Sequence, residues 1–508
     1  MAAHPALYLG LDASTQGLGA VLLAVDGERA KVVWSHDLAY DDALPQYGTV
    51  RGVLPSTDPA VVVSPPQMWE DALHLMFAAL VQSGLDVSNL RAISGAAQQH
   101  GSVYLRADGT FAREVSPVWL DSSTPDECDA ITEAVGGAVR LARHTGSRAY
   151  TRFTGPQIRK FFETEPGAYA DTARIHLVSS FLASRLIGSH APLEPGDASG
   201  MNLMDLATRN WWPDAMQATA VGLEERLPPI VPSHTVVGTL ADSWRSRYGV
   251  PPARVIAWTG DNPSSLVGTG VVTEGQMVVS LGTSDTVFGV MREARVHPGG
   301  AGHVFGAPTG DWMGITVFAN GSLARERVRD ECGLDWLQFS EALAQTPPGN
   351  HGRLMFPWFV PEITPVVSAP RVHRVGLVDA DVAGNVRAVV EGQMLAMARH
   401  SRWMGVTPTA IRATGGASVN RDLLQVMADV WGVPVATGPS SNAASLGAAL
   451  RAWHADRAAD DVPLAWTTIV DAAGLEPAMI VQPRMDPHAT YAQLQHEAAR
   501  HEAALLGG

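Results

Sequence analysis

Cysteine, lysine and long apolar runs are all scarce in this chain of 508 residues. Only Cys128 and Cys332 occur, far apart and outside any Cys-x-x-Cys arrangement, so no disulfide framework or thiolate metal site is available and both read as small buried hydrophobes. Lys31 and Lys160 are the only lysines among 36 basic residues, and neither follows a G-x-x-x-x-G run, which excludes a phosphate-loop lysine. No stretch reaches the roughly 20 apolar residues of a membrane-crossing helix, and the N-terminal residues lack the basic start and apolar block of a secretory signal. A cytosolic protein with no membrane partner is expected. A formal charge of -15 leaves no cationic stripe for a nucleic acid. Any bound anion must be held locally, by backbone amides, arginine and a metal.

What is present is apolar material in excess of one core, which predicts two large α/β domains. A distant internal echo supports that division. Tyr8 to Asp12 and Leu18 to Asp26 read as two strands joined by Ala13-Ser14-Thr15-Gln16-Gly17, and Met277 to Leu281 and Thr286 to Met291 as two more joined by Gly282-Thr283-Ser284-Asp285. Glycine and small hydroxyl residues let consecutive N–H groups converge on one concavity that fits a phosphate. Either hairpin alone is equally an ordinary strand turn, since the same residues dominate turns.

Two further junctions carry chemistry. Ile411 to Thr414 runs into Gly415-Gly416-Ala417-Ser418 and then a helical pattern from Asn420 to Val430, and a glycine pair there lets a flat ring approach the backbone. A second junction, Thr437 to Ser445 before a small-residue helix from Leu446 to Trp453, could form an opposite wall. Val255 to Trp258 leads into Thr259-Gly260-Asp261-Asn262-Pro263, with proline where a first helical turn favours it. Asp261 or Asn262 could simply cap that helix. Its place just before the second hairpin, however, is where a base accepting a proton from a hydroxyl would be wanted.

In this order, Leu11-Asp12-Ala13-Ser14-Thr15-Gln16, Ile93 to Gly101 with its Gln98-Gln99-His100 run, Val118 to Thr124, Gly260-Asp261-Asn262, Ser280 to Ser284 and Gly415 to Asn420 resemble the FGGY carbohydrate kinases over nearly the whole chain. The Gln-Gln-His-Gly and Trp-Leu-Asp-Ser-Ser-Thr runs, Thr145 to Tyr150 and Gly196 to Leu203 resemble the eukaryotic type of those members that phosphorylate D-xylulose. The resemblance implies a two-domain actin-like (ribonuclease H-like) α/β fold with an interdomain cleft, and transfer of the ATP γ-phosphoryl to a small ketose, D-xylulose foremost. Ribulose, L-xylulose, glycerol or a non-catalytic ATP-dependent sugar sensor are the alternatives. Residues 1–258 would form the sugar-binding domain and 259–484 the nucleotide-binding domain, with 485–508 a helix packing back on the first.

Residue by residue, the resemblance assigns Mg2+ to Asp12, the general base to Asp261, and the ketose to His100, Arg152, Asp261 and Asn262. Asp12, Thr15, Gly282, Thr283 and Ser284 would serve the phosphates and metal, and Trp336, Gly415, Gly416, Ala417 and Asn420 the purine and ribose. Taken alone, His100 reads equally as a buried hydrogen-bonded histidine, Arg152 as one of several solvated arginines, Trp336 as core packing, and Asp197 as a cap or turn residue left outside the site. Ser14 stands where many family members carry glycine, and Gln157 and Lys160 replace a bacterial Lys-x-x-Trp signature. His496-Glu497-Ala498-Ala499-Arg500-His501 only superficially resembles a zinc-protease helix, because its second histidine falls one place too late for an i, i+4 pair. Assembly state stays open, a homodimer included.

Overall fold

The computed structural model describes residues 5–27, 29–438, 442–475 and 477–507, apart from the side chain of His488. They form two compact units, neither of them a continuous stretch of chain. The first comprises 1–272, 304–313 and 441–475, and the second 273–303, 314–440 and 476–508.

The first unit is built on a mixed sheet ordered Val236–Thr239, Arg254–Ile256, Leu90–Ala97, Ala6–Ala13, Gly17–Asp26 and Arg29–Ala39, with the short strand Thr259–Gly260 also pairing with Leu90–Ala97. Strand periodicity decides what each face receives. Leu7, Leu9 and Leu11 face a core shared with Trp69, Leu73 and Phe77 of helix Pro66–Gln82 and with Phe181 and Leu182 of helix Val178–Ile187. Tyr8 packs on the opposite face with Leu446, Ala449, Leu450 and Trp453 of helix Ala443–Ala459. Gly10 shares that face, and a Cβ there would lie 1.9 Å from the Ser445 carbonyl oxygen and 2.3 Å from the Ala449 nitrogen. Only glycine lets this helix lie so close on the strand. The same helix meets helix Asp261–Gly268 backbone to backbone, since a Cβ on Gly268 would fall 1.8 Å from the Ala443 carbonyl oxygen and one on Gly447 1.9 Å from that of Ser264.

The second unit repeats the central element. Its sheet order runs Trp312–Phe318, Asp285–Met291, Gln276–Leu281, Ala410–Thr414, Val435–Thr437 and Met479–Val481. In both units a tight antiparallel hairpin is followed on its first strand by a parallel partner: Leu90–Ala97 beside Ala6–Ala13, and Ala410–Thr414 beside Gln276–Leu281. The echo read from the turn residues is therefore a real repeat of topology. The turns close with Ala13 opposite Leu18 and Leu281 opposite Asp285.

The compact units depart from the expected boundaries: residues 259–272, 304–313 and 442–475 fall in the first unit and the C-terminal helix in the second. Residues 442–475 belong to the first unit, because the small residues of helix Ala443–Ala459 are consumed by close approach to Gly10 and Gly268 rather than by a wall of the nucleotide side. Of the expected junction from Thr437 to Ser445, residues 439–441 lie outside those described. The C-terminal helix Met485–Leu506 packs in the second unit, not on the first. Buried polar contacts hold it there: Tyr491 donates to Glu391 at 2.7 Å and accepts from Arg387 at 2.6 Å, and Arg399 and His400 pair with Glu502. Tyr491→Phe removes one buried donor and leaves Arg387 and Glu391 each short of a partner. It should lower unfolding stability by about 1–3 kcal/mol in a denaturant titration.

Candidate functional site

Three strand ends come into line in the first unit. Asp12 pairs with Ala96 and so does Thr259, while Ala13 and Gly260 both pair with Ala97. The chain leaves these ends as Asp12, as Gln98-Gln99-His100 and as Asp261-Asn262, on three neighbouring strands about 5 Å apart. Ser14 is not among the positive-φ residues described, so its turn demands no left-handed serine, and its hydroxyl donates to the Gly17 carbonyl at 3.0 Å. The Thr15 hydroxyl accepts from Trp119 Nε1 at 2.8 Å and donates to Gln98 Oε1 at 3.4 Å.

The carboxylates here are poorly hydrated and mostly unpaired. Burial pushes Asp12 up to about 7, with Asp261 and Asp37 adding to the rise, and its buried Oδ1 has no protein partner. Asp261 is pushed up to about 6 by burial, against which hydrogen bonds from Asn262 work. The Asn262 backbone N–H and Nδ2 donate to Asp261 Oδ1 at 2.8 and 2.9 Å, so the first turn of the helix fixes the carboxylate. His100 is held neutral, down to about 3, by burial and then by Arg152. With φ of +72° it points its Nδ1 at the Gly200 carbonyl, 2.7 Å away, leaving Nε2 for a ligand. Arg152 stands 5.3 Å from the Tyr150 ring and is lowered by burial. All six first-unit candidates, Asp12, Thr15, His100, Arg152, Asp261 and Asn262, thus sit on or beside the aligned strand ends or in electrostatic contact with a residue that does.

Asp197 is a residue the sequence left outside the site, and the structure brings it in. It is fully buried and pushed up to about 8 by burial, with Glu194 and Asp261 adding to the rise and hydrogen bonds from Ser179 and Gln99 working against it. Gln99 donates to the Gly196 carbonyl at 3.1 Å from the same helix. Its neighbour Glu194 carried no sequence signal at all. In Asp197 the signal was present, an acidic residue inside a glycine-rich run, but a turn explained it equally well.

A metal cage is absent: among the described residues no three His, Cys, Asp or Glu converge to hold an ion. The unpartnered Asp12 Oδ1 nevertheless fits Mg2+, which is commonly held by one or two carboxylates together with water and substrate phosphates.

In the second unit a cavity of about 760 Å³ opens beside the second hairpin turn. Gly282, Thr283, Trp336, Gly416, Ala417 and Asn420 line it, together with Leu337, Phe339 and Val419. Gly415 sits behind this lining with φ of +84°, and a Cβ there would lie 2.5 Å from the Leu281 carbonyl oxygen, so glycine alone lets the two strand ends touch. Gly416 faces open space. Trp336 is half exposed, edge-on to Phe339 and covered by Arg329 at 4.5 Å, which makes it a cavity wall rather than core. Asn420 caps helix Arg421–Trp431 through Oδ1 and donates to the Ser340 hydroxyl at 2.7 Å, tying the two walls together. Ser284 is exposed on the turn and does not line the cavity. Under the turn, the buried Arg325 grips Asp285 at 2.8 and 3.0 Å and donates to Gln393 at 2.8 Å. Sequence reading passed over Arg325, because nothing local distinguishes it from the other arginines of its helix.

A sheet-based site rich in displaced carboxylates in one unit, and a glycine-walled cavity beside a hydroxyl turn in the other, are parts suited to a phosphotransferase acting on a polar small molecule. Comparison with known proteins agrees: residues 7–268 match the N-terminal domain and residues 277–455 the C-terminal domain of the FGGY family of carbohydrate kinases. The chain belongs to that family, and its two α/β domains are those of the actin-like sugar kinases. Xylulose kinase of Rattus norvegicus is 40% identical, with 98% of this chain and 97% of the relative covered. Xylulose kinase 2 of Arabidopsis thaliana is 40% identical over 88% and 87%. Among solved structures, xylulose kinase from Rhodospirillum rubrum superposes with a TM-score of 0.84 at 19% identity, covering 99% of both chains. Gluconate kinase from Lactobacillus acidophilus gives the same TM-score at 20% identity, covering 99% of this chain and 98% of its own, so fold alone does not select the sugar. No helix among the described residues is long and apolar enough to cross a membrane.

The Arg325–Asp285 pair supports the second hairpin turn from beneath. Arg325→Met should strand the Asp285 carboxylate in the interior and lower stability by about 3–5 kcal/mol, and adding Asp285→Asn should recover much of that loss in thermal unfolding.

Proposed function

We propose that the chain transfers the γ-phosphoryl of ATP to the C5 hydroxyl of D-xylulose, with Asp261 as general base. The observation that carries the reading is the Asp261 carboxylate, raised to about 6 yet pinned by Asn262 at the end of a strand aligned with the one bearing Asp12. A base with that proton affinity is ionised at neutral pH and still basic enough to take a hydroxyl proton as the oxygen attacks phosphorus. His100 Nε2, Arg152 and Asn262 offer hydrogen-bonding groups to a polyol that has no apolar handle. The second-unit cavity would take the nucleotide, its base against Trp336 and the Gly416-Ala417 backbone and its phosphates toward Gly282, Thr283 and Ser284. Mg2+, held through Asp12 directly or by way of water, would supply charge neutralisation on the phosphate oxygens. The choice of D-xylulose rests on the 40% identity to kinases bearing that name, spread over nearly the full chain.

The sugar is tested by a panel of D-xylulose, D-ribulose, L-xylulose, glycerol and gluconate in a coupled ADP-release assay, with the product identified by mass and by position of phosphorylation. D-xylulose should give the highest kcat/KM. ADP release with another polyol preferred would move the assignment, and nucleotide binding without any phosphosugar would replace it by a sugar sensor.

Asp261→Asn keeps the shape and removes the base, so turnover should fall by about 10²–10⁴-fold. In the unsubstituted enzyme, protonation of Asp261 removes the base, so kcat/KM should decline about tenfold per pH unit below about 6. Because folding raises the proton affinity of this carboxyl, ionisation opposes the folded state above the unfolded carboxylate range. The neutral Asn variant should accordingly melt higher at pH 7 while being inactive.

A further inference from the structure

Arg451 is 2% exposed in the middle of helix Ala443–Ala459, and among the described residues its hydrogen bonds go to Ser94, Gly95, Ser233 and Ala257 rather than to a carboxylate. A guanidinium taken out of water costs several kcal/mol, and a methionine or leucine would fill the same space without that penalty. What the guanidinium does is bind backbone. It donates to the Gly95 carbonyl at 3.1 Å and to the Ala257 carbonyl at 2.6 Å. Gly95 lies three residues before Gln98, and Ala257 four before Asp261, so one side chain ties together two of the three strands whose ends form the sugar side.

Glu194 does the complementary job from the other direction. It is fully buried, it caps the helix that carries Asp197 by accepting from the Asp197 N–H at 3.0 Å, and its two oxygens accept the hydroxyls of Thr259 and Ser233. Thr259 is itself fully buried and opens the two-residue strand Thr259–Gly260 that runs straight into the helix beginning at Asp261. Arg451 faces Glu194 and Asp197 electrostatically, which balances charge that would otherwise be stranded beside the site.

We propose that Arg451 and Glu194 are positioning residues for the phosphoryl-transfer step, together setting the height and direction of Asp261 through Ala257 and Thr259. The inference rests on Asp261 being the base. Neither residue needs to touch sugar or nucleotide. A brace of this kind acts on kcat, because a base displaced by about 1 Å costs up to about 100-fold in rate while leaving ground-state binding largely in place.

Thr259→Val removes one hydroxyl without changing shape, Thr259→Ser restores it, and Arg451→Lys keeps the charge but cannot reach both carbonyls. In the full chain, Thr259→Val and Arg451→Lys should each lower kcat with D-xylulose by about 10- to 100-fold, with KM for ATP and for sugar within about threefold, and Thr259→Ser should recover most of the rate. A packing role alone would lower the melting temperature and the active fraction but leave kcat per folded enzyme unchanged, and that result would overturn the proposal. Should Thr259→Val not fold, Ser233→Ala, which removes the other hydroxyl on Glu194, takes its place beside Arg451→Lys with the same expected split. Asp261→Asn run alongside separates the two readings. If it stays active, the base assignment is at fault; if it is inactive while the brace variants turn over normally, only the brace is lost.

Discussion

A carboxylate gives up its hydration when strands close around it, and in this protein that loss is concentrated where three strands end in register. Asp12, Asp197 and Asp261 are all raised chiefly by burial, and Asp261 adds to the rise of both Asp12 and Asp197. Among the described residues no cation forms a salt bridge with them. The nearby buried cation, Arg451, spends its donors on backbone carbonyls and only faces the acids. Such a site is expensive to fold and is maintained because the sheet and helix Ala443–Ala459 over-determine it: Gly10 places Asp12 and Gly268 places the helix that begins at Asp261. Proton affinity suited to catalysis and local instability are here one property.

The second unit treats an equivalent hairpin in the opposite way. Asp285, which closes the second turn as Leu18 closes the first, is buried, but Arg325 meets it with two hydrogen bonds and Gln393 fixes Arg325 in turn. A compensated carboxylate supports structure, and Asp285 also accepts from the Gly282 backbone N–H, which ties the turn to its base. The repeat is therefore one of topology with differing electrostatics: poorly neutralised buried carboxylates in one unit, a neutralised turn beside a cavity in the other.

Both hairpins, the Gly415-Gly416 junction and the Asp261 helix start were legible because their chemistry is local. Small hydroxyl residues, glycine pairs and a proline after an acid announce strand ends and helix starts within a few positions. Serine is accommodated at position 14 because the left-handed conformation that favours glycine is not adopted there. Arg451, Glu194 and Arg325 were illegible for the reverse reason. Their partners lie at sequence separations of 356, 65 and 40 residues, and an arginine or glutamate inside a helical or turn pattern looks alike whether it meets water or a buried carbonyl. The placement of 442–475 failed similarly: a run of alanine and glycine reads as a generic helix, and only Gly10 and Gly268 on distant elements reveal why those residues had to be small.

The interleaving of the two units along the chain has a consequence for biosynthesis. Strand Ala6–Ala13 leaves the ribosome more than 430 residues ahead of the helix that covers its Gly10 face. At translation rates of about 5–20 residues per second, that face waits on the order of tens of seconds without its partner. During this interval an apolar strand surface carrying Tyr8, Val21 and Leu23 is open to other chains, so nascent-chain protection falls most heavily on the half of the protein that is made first.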